Sequence, residues 1–386
     1  MAGLRAWLPA PGKKSPSGIP GTTWHAEVVE TKGITKLMMK RRKCGETGLD
    51  MPILGVGTWA FGGGEYWGWQ DQKDVDSVVH RALDVGCNYF DSAEMYNKGA
   101  SESSLGAALK GRRGEAIIGT KINPSNAYAR TLVEHCEASL KRLSTDYIDV
   151  YMIHWPIHPH SIRHFTEDAA VINNPPTVQE ALATMGRLKE QGKIRHIGVS
   201  NFGVKRFEEA LKLCPQIVVN ELPYSLLTRA VEMHILPCCR RRKVGVIGYM
   251  TLLQGLLADI YPSLKEVPPW QRRTRHFSCK SGELTRHGEE GAEDQTNQAL
   301  TAIRAVCKKY GMTMPEIAVK WAVANEAITC ALVGARNVAE FDANVKAVSE
   351  PLPAEIVAEL DAATKPLMDK MGPGFDYYEN TKDDRT

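Results

Sequence analysis

No segment of the 386-residue chain stays apolar for the ~20 residues that a membrane-spanning helix needs. The longest apolar stretch, Val244 to Ala258, is broken by Gly245, Gly248, Gln254 and Gly255, so no membrane span is expected. Charge of one sign is scarce too: 48 Lys and Arg against 45 Asp and Glu leave +3, with no dominant basic block, which argues against nucleic acid as a partner. No CxxC pair occurs among the nine cysteines at 44, 87, 136, 214, 238, 239, 279, 307 and 330. An odd, unpaired set fits reduced thiols in the cytoplasm better than a disulfide framework. Residues 1–36 lack strand or helix periodicity, hold Pro9, Pro11, Pro16 and Pro20, and have no acid before Glu27. They read as a disordered extension, with an organelle transit signal carried by Arg5, Lys13 and Lys14 as the minor alternative.

What is present is an ordinary globular composition, 43% hydrophobic and 24% charged, enough to bury a large core. Eight short apolar runs punctuate the chain: 54–57, 88–91, 116–120, 147–154, 194–200, 217–220, 244–249 and 329–334. Amphipathic segments lie between them. Val75, Val78, Val79, Ala82 and Leu83 follow the i, i+3, i+4, i+7, i+8 spacing of one helix face, and Val178, Ala181, Leu182 and Met185 repeat it. Thr177 and Glu180 form a capping-box pattern before the second of these helices, and Gly192 can close it. Eight βα units in succession predict a single α/β domain, a parallel (β/α)8 TIM barrel over 37–370, followed by a C-terminal tail at 371–386. Leu37 to Ile53, with Glu46-Thr47-Gly48 at its centre, predicts a β-hairpin ahead of the barrel. Two connections are long, Trp155 to Pro176 after the fourth run and Ala258 to Asp294 after the seventh, as functional loops often are.

Three apparent motifs carry little weight. Gly55-Val-Gly57-Thr-Trp-Ala60 has the G-x-G-x-x-A spacing of a dinucleotide fold, but the glycine-rich run after it cannot open a helix. Tyr261 and Lys265 have the Y-x-x-x-K spacing, yet Pro262 conflicts with the helix interior that would align them. His154, His158, His160 and His164 lack the Cys or carboxylate partners of a metal set, and Pro156 and Pro159 interrupt any helix, so no metal is expected.

In such a barrel the active site forms at the C-terminal ends of the strands. Asp91 ends the second run, Lys121 follows the third, His154 ends the fourth, and Tyr96 lies in the loop after Asp91. A phenol is a weak acid at neutral pH, and a neighbouring ammonium stabilises its phenolate. Asp91 can orient that ammonium, and His154 can donate to the same substrate oxygen. Carbonyl reduction suits this set, since the developing alkoxide needs donors and a proton.

Asp-Ser-Ala-Glu-Met-Tyr (91–96), Gly-Thr-Lys (119–121) and Ile-His-Trp-Pro (153–156) resemble the catalytic motifs of the aldo-keto reductase superfamily. The likeness runs from about Leu37 to Ala362 and takes in Gly57-Thr58-Trp59, Gly-Val-Ser-Asn-Phe (198–202), Glu-Leu-Pro-Tyr-Ser-Leu-Leu (221–227), Gln-Gly-Leu-Leu (254–257) and Gly-Ala-Arg-Asn (334–337). It implies an NADPH-dependent reductase of an aldehyde or ketone, with NADH possible as cofactor, Tyr96 as general acid, and Asp91, Lys121 and His154 completing a tetrad. It implies cofactor contacts at Gly57, Thr58, Trp59, Ser200, Asn201, Glu221, Tyr249, Thr251, Leu252, Gly255, Gly334, Arg336, Glu340 and Asn344. Ser200 and Asn201 would hold the nicotinamide carboxamide, Tyr249 would stack on its ring, and Arg336 would meet the 2′-phosphate. This chain departs from the family at Glu221, usually Gln, at Thr251, usually Pro, and at Ala343, a Glu in some members. Trp59, Phe61, Trp67 and Trp155 are candidates for an apolar substrate wall. Two other readings share the barrel: a cofactor-binding regulatory subunit similar to the potassium-channel β subunits, with little turnover, and an enzyme running in the direction of alcohol oxidation.

Overall fold

The computed structural model describes residues 39–379, 381 and 385–386, together with the backbone of 28–31 and 34–37. Eight strands close a barrel: β1 Leu54–Gly57, β2 Tyr89–Asp91, β3 Ile117–Ile122, β4 Ile148–Ile153, β5 Ile194–Ser200, β6 Ile217–Pro223, β7 Gly245–Tyr249 and β8 Cys330–Val333. Each pairs in parallel with its neighbours in chain order, and β8 pairs with β1 to complete the ring. All eight sequence runs thus become barrel strands, and β6 continues through Glu221 to Pro223 beyond the run that predicted it.

The longer helices outside the ring are α1 Gln72–Asp84, α2 Ala100–Ala108, α3 Ala129–Leu143, α4 Val178–Glu190, α5 Val204–Leu213, α6 Ile235–Arg242, α7 Glu293–Tyr310, α8 Met314–Ala324, α9 Val338–Ala347 and α10 Ala354–Met371. The five periodic residues of α1 are its five buried ones. Thr177 caps α4 by accepting from the Glu180 amide, and Gly192 follows its end at φ 75°. Arg240, Arg241 and Arg242 fill the last turn of α6, where cations face the negative end of the helix dipole.

Strand alternation splits the core in two. Tyr89, Val150, Met152, Val219, Ile247, Cys330 and Leu332 cluster together, while Phe90, Ile118, Tyr151 and Ile153 pack with the helices. The predicted hairpin pairs Arg41–Lys43 with Asp50–Pro52, and its Cys44, Leu49 and Met51 belong to the first cluster. Arg42 of this hairpin donates to the carbonyls of Val323 and Ile328. All nine cysteines are free thiols, and burial pushes Cys44 and Cys87 up to about 12.

Two parts differ from the sequence reading. Within the extension, the backbones of Val28–Thr31 and Ile34–Leu37 pair antiparallel, in keeping with their β-branched residues; residues 1–27 lie outside the described residues. The C-terminal segment folds back on the barrel instead of trailing from it. Phe375, Asp376, Tyr377 and Arg385 are buried, because Arg275 of the loop after β7 donates to the carbonyls of Met371, Gly374 and Asp376.

Helix packing gives one direct test. A Cβ on Gly106 of α2 would stand 2.7 Å from the backbone oxygens of Arg142 and Leu143 of α3. Gly106→Ala is therefore expected to destabilise the protein by about 1–3 kcal/mol through overpacking, despite alanine's better helix propensity. Urea denaturation reads the change, and a variant as stable as the parent would contradict this packing.

Candidate active site

The centre of the barrel mouth is a buried ammonium. Lys121, near the end of β3, points its Nζ at Asp91 Oδ1 and Oδ2, 2.7 and 2.6 Å away, and at the Ser92 carbonyl, 2.9 Å away. Those acceptors use its three N–H donors. Glu221 from β6 brings a second carboxyl oxygen to 3.3 Å from the same nitrogen. The Lys121, Asp91 and Glu221 side chains are 0, 4 and 3% exposed. Burial opposes the charge on Lys121, but the groups facing it, the Asp91 carboxylate first among them, more than offset it and hold the ammonium well above its ordinary range.

Tyr96 follows β2 in a short turn where Asn97 and Lys98 take positive φ and Asn97 donates to the carbonyls of Trp59 and Phe61. Its ring centroid lies 5.1 Å from Lys121 Nζ and 5.8 Å from the His154 ring. From the sequence alone, the ammonium is expected to lower this phenol's pKa. In the folded protein burial pushes it up, Lys121 opposes that, and the Asp91 carboxylate adds to the rise, so the hydroxyl keeps its proton at neutral pH. His154, just past β4, is driven well below its usual range by burial and by the charges of Lys121 and Arg385, which makes it a neutral imidazole. Its Nδ1 is buried without a hydrogen-bond partner. Asp91, Tyr96, Lys121 and His154 are therefore one cluster.

Around it, Asn201 takes φ 64°, donates to the His154 carbonyl and to Ser200 Oγ, and accepts from the Tyr249 hydroxyl at 2.7 Å. Ser200 in turn faces the Glu221 carbonyl. Beyond β7, Thr251 is buried with its hydroxyl unpartnered, Leu252 is half-buried, and Gly255 takes φ 100°. Gly57 ends β1 alongside Gly334 after β8. Thr58 is committed to structure: its hydroxyl donates to the Asp91 carbonyl and meets Ser101. Arg336 donates to Gln70 Oε1 and to the carbonyls of Trp67 and Trp69, tying the loop after β1 to the one after β8. Glu340 accepts from the Arg336 and Asn337 donors at the start of α9, and Asn344 lies one turn further along that face.

Trp59 and Trp67 meet edge to face at 5.3 Å, and Trp59 lies 6.0 Å from Tyr96. Tyr66 stacks on Trp59 and touches Trp270 of the loop after β7. The aromatic clustering around Trp59 and Trp67 was a signal for Tyr66; nothing local marked Trp270. Phe61 is buried beneath the wall. Trp155 is covered: the Arg385 guanidinium sits 3.6 Å over its ring and is paired with Asp376. Such a contact between residues 230 apart has no local sequence signature. Among the described residues no group of three or more His, Cys, Asp or Glu could hold a metal ion, and no helix is long and apolar enough to cross a membrane.

The profile of the aldo/keto reductase family matches residues 53–365. The chain belongs to the aldo/keto reductase family. It is 29% identical over 352 residues to the aldo-keto reductase YhdN of Bacillus subtilis, covering 87% of this chain and 97% of that protein. It is also 29% identical over 350 residues to an Escherichia coli NADH-specific methylglyoxal reductase, covering 84% of this chain and 100% of the relative. The holo form of an aldo-keto reductase from Bacillus halodurans superposes with a TM-score of 0.64 at 26% identity, over 84% of this chain and 96% of that one. For an aldo/keto reductase, the cluster at the ends of β2, β3 and β4 is the expected seat of chemistry.

Proposed function

We propose that this chain reduces an aldehyde or ketone to an alcohol with NADPH, accepting NADH as a second cofactor. The observation that carries the reading is the fully buried Lys121 ammonium, held by Asp91, beside the protonated Tyr96 phenol and the neutral His154 ring. The residues of the barrel mouth suit a nicotinamide nucleotide: Glu221 Oε2 in β6 and Thr251 Oγ1 just past the neighbouring β7 are buried polar atoms without partners, as a polar ligand requires. Ser200, Asn201 and Glu221 would hold the carboxamide and Tyr249 the ring face. Gly57, Trp59, Leu252, Gly255, Gly334 and Asn344 would border the nucleotide. Thr58 and Glu340 would act through the backbone they fasten.

When bound, the reduced cofactor supplies hydride. The residues of this chain manage the oxygen of the carbonyl. Tyr96 donates its proton as that oxygen gains negative charge, and Lys121 stabilises the phenolate left behind. Asp91 keeps Lys121 charged and in place. His154, neutral, donates a hydrogen bond to the same oxygen and fixes its position. Trp59, Tyr66, Trp67 and Trp270 offer an apolar surface beside Tyr96, which favours a small carbonyl compound with an apolar or aromatic substituent. The name of the Escherichia coli relative supports a carbonyl substrate and gives NADH a place in the same assay. The test is a fluorescence titration with NADPH and NADH followed by cofactor oxidation across aromatic and aliphatic aldehydes and ketones. Binding with turnover supports the reading. Binding without turnover on any of them contradicts it and favours a regulatory subunit.

Arg336 is the proposed 2′-phosphate ligand, with two of its five N–H donors left over from Gln70, Trp67 and Trp69. Arg336→Ala is expected to weaken NADPH binding about 10- to 100-fold, the size of a lost charge-assisted hydrogen bond, and to leave NADH nearly unchanged. Equal losses for both cofactors would show that Arg336 serves only to fasten the loop.

A further inference from the structure

The cluster around Lys121 holds one carboxyl group more than its charge can neutralise. Asp91 and Lys121 already form a complete pair, since both carboxylate oxygens and all three ammonium hydrogens are engaged with each other or with the Ser92 carbonyl. Glu221 adds a second carboxyl group at 3.3 Å from Nζ, close to both Lys121 and Asp91, and its Oε2 is buried without any partner. The groups facing it are Lys121 from β3, Asp91 and Tyr89 from β2, Tyr96 from the following turn and Tyr249 from β7. Lys121 is the only cation among these. With both carboxyl groups ionised the buried set would carry a net charge of about −1, which burial disfavours; such groups neutralise instead.

We infer that Glu221 is a proton-carrying positioning residue: it stands in the cluster as a neutral carboxylic acid, with Oε1 turned to Lys121 and the acid hydrogen on Oε2 available to an oxygen of the incoming ligand. Burial and the Asp91 carboxylate both push its proton affinity up, against the pull of Lys121, in agreement with the charge count. Two consequences follow from the neutral form. Lys121 stays paired with Asp91 alone, so its charge remains directed at Tyr96. A carboxylic acid can also give a hydrogen bond where a carboxylate only accepts, so the group can donate to an amide carbonyl such as that of the nicotinamide carboxamide. The second consequence rests on the cofactor reading above; the first does not.

Infrared spectroscopy of the unliganded protein at pH 8 separates them. At that pH ordinary carboxyl groups are ionised, and a carboxyl group still holding its proton gives a separate band. The expected result is such a band, shifted when glutamate is 13C-labelled, unmoved when aspartate is labelled, and lost in Glu221→Gln. Absence of the band, a response to the aspartate label, or survival of the band in Glu221→Gln would overturn the inference. Should that variant fail to fold, the isotope shift in the wild-type protein still decides between glutamate and aspartate. Adding NADPH should then move the band. Binding that leaves it unmoved would remove the hydrogen bond to the ligand from the account, whereas failure of NADPH to bind would count against the cofactor reading and leave the proton on Glu221 to be judged by the first result.

Discussion

Tyr96→Phe is expected to lower kcat for carbonyl reduction by about 10³-fold, within the range that a positioned general acid supplies, while NADPH binding stays close to that of the parent. The change removes one oxygen from a ring that keeps its neighbours Trp59, His154 and Lys121. A loss of that size corresponds to about 4 kcal/mol of transition-state stabilisation. Stopped-flow measurement of cofactor oxidation, with fluorescence for binding, separates the two effects. Equal loss of binding and turnover would make Tyr96 a packing residue; full turnover would place the proton donor elsewhere.

Lys121→Met should have the largest effect on folding. The lysine is the cation between Asp91 and Glu221, and methionine fills the space without the charge. Breaking a buried ion pair from one side costs about 3–5 kcal/mol. The sign of the pH dependence follows from the same geometry. Without Lys121, the two carboxyl groups share the barrel mouth with no cation, and groups buried in that way hold protons more tightly folded than unfolded. Their stability contribution is then fully present below the ordinary carboxylate range and is lost as pH rises through the raised folded value. The deficit of the variant should therefore be smaller at pH 5 than at pH 8. Denaturant unfolding at both pH values checks this, and a deficit that grows toward acid would contradict it.

The barrel was legible in the chain because its strands are buried on both faces and read as apolar runs, each bounded by an amphipathic helix such as α1 or α4. The grouping of Asp91, Lys121 and His154 was legible because strand ends are marked in the sequence, so the three fall at one end of three neighbouring strands. Contacts between distant segments were not legible. Arg385 over Trp155, Arg336 on the Trp67–Gln70 segment and Tyr66 against Trp270 each depend on how two loops meet, which no local pattern encodes. Proton affinity was the other gap. Sequence placed Tyr96 beside Lys121, but only the fold shows that burial, with the Asp91 carboxylate, outweighs the ammonium. Glu221 was visible as a departure from the family; its closeness to both Lys121 and Asp91 was not.

The buried Lys121, Asp91, Tyr96 and His154 cluster is proposed to reduce carbonyl groups with NADPH. The most direct test is to mix the purified full chain with NADPH and a small aromatic aldehyde, follow NADPH absorbance, and quantify the alcohol formed. Saturable oxidation of NADPH with one alcohol produced per cofactor consumed, slowed about 10³-fold in Tyr96→Phe, is the predicted result. NADPH bound but not consumed with any aldehyde or ketone, or consumption undiminished in Tyr96→Phe, would contradict it.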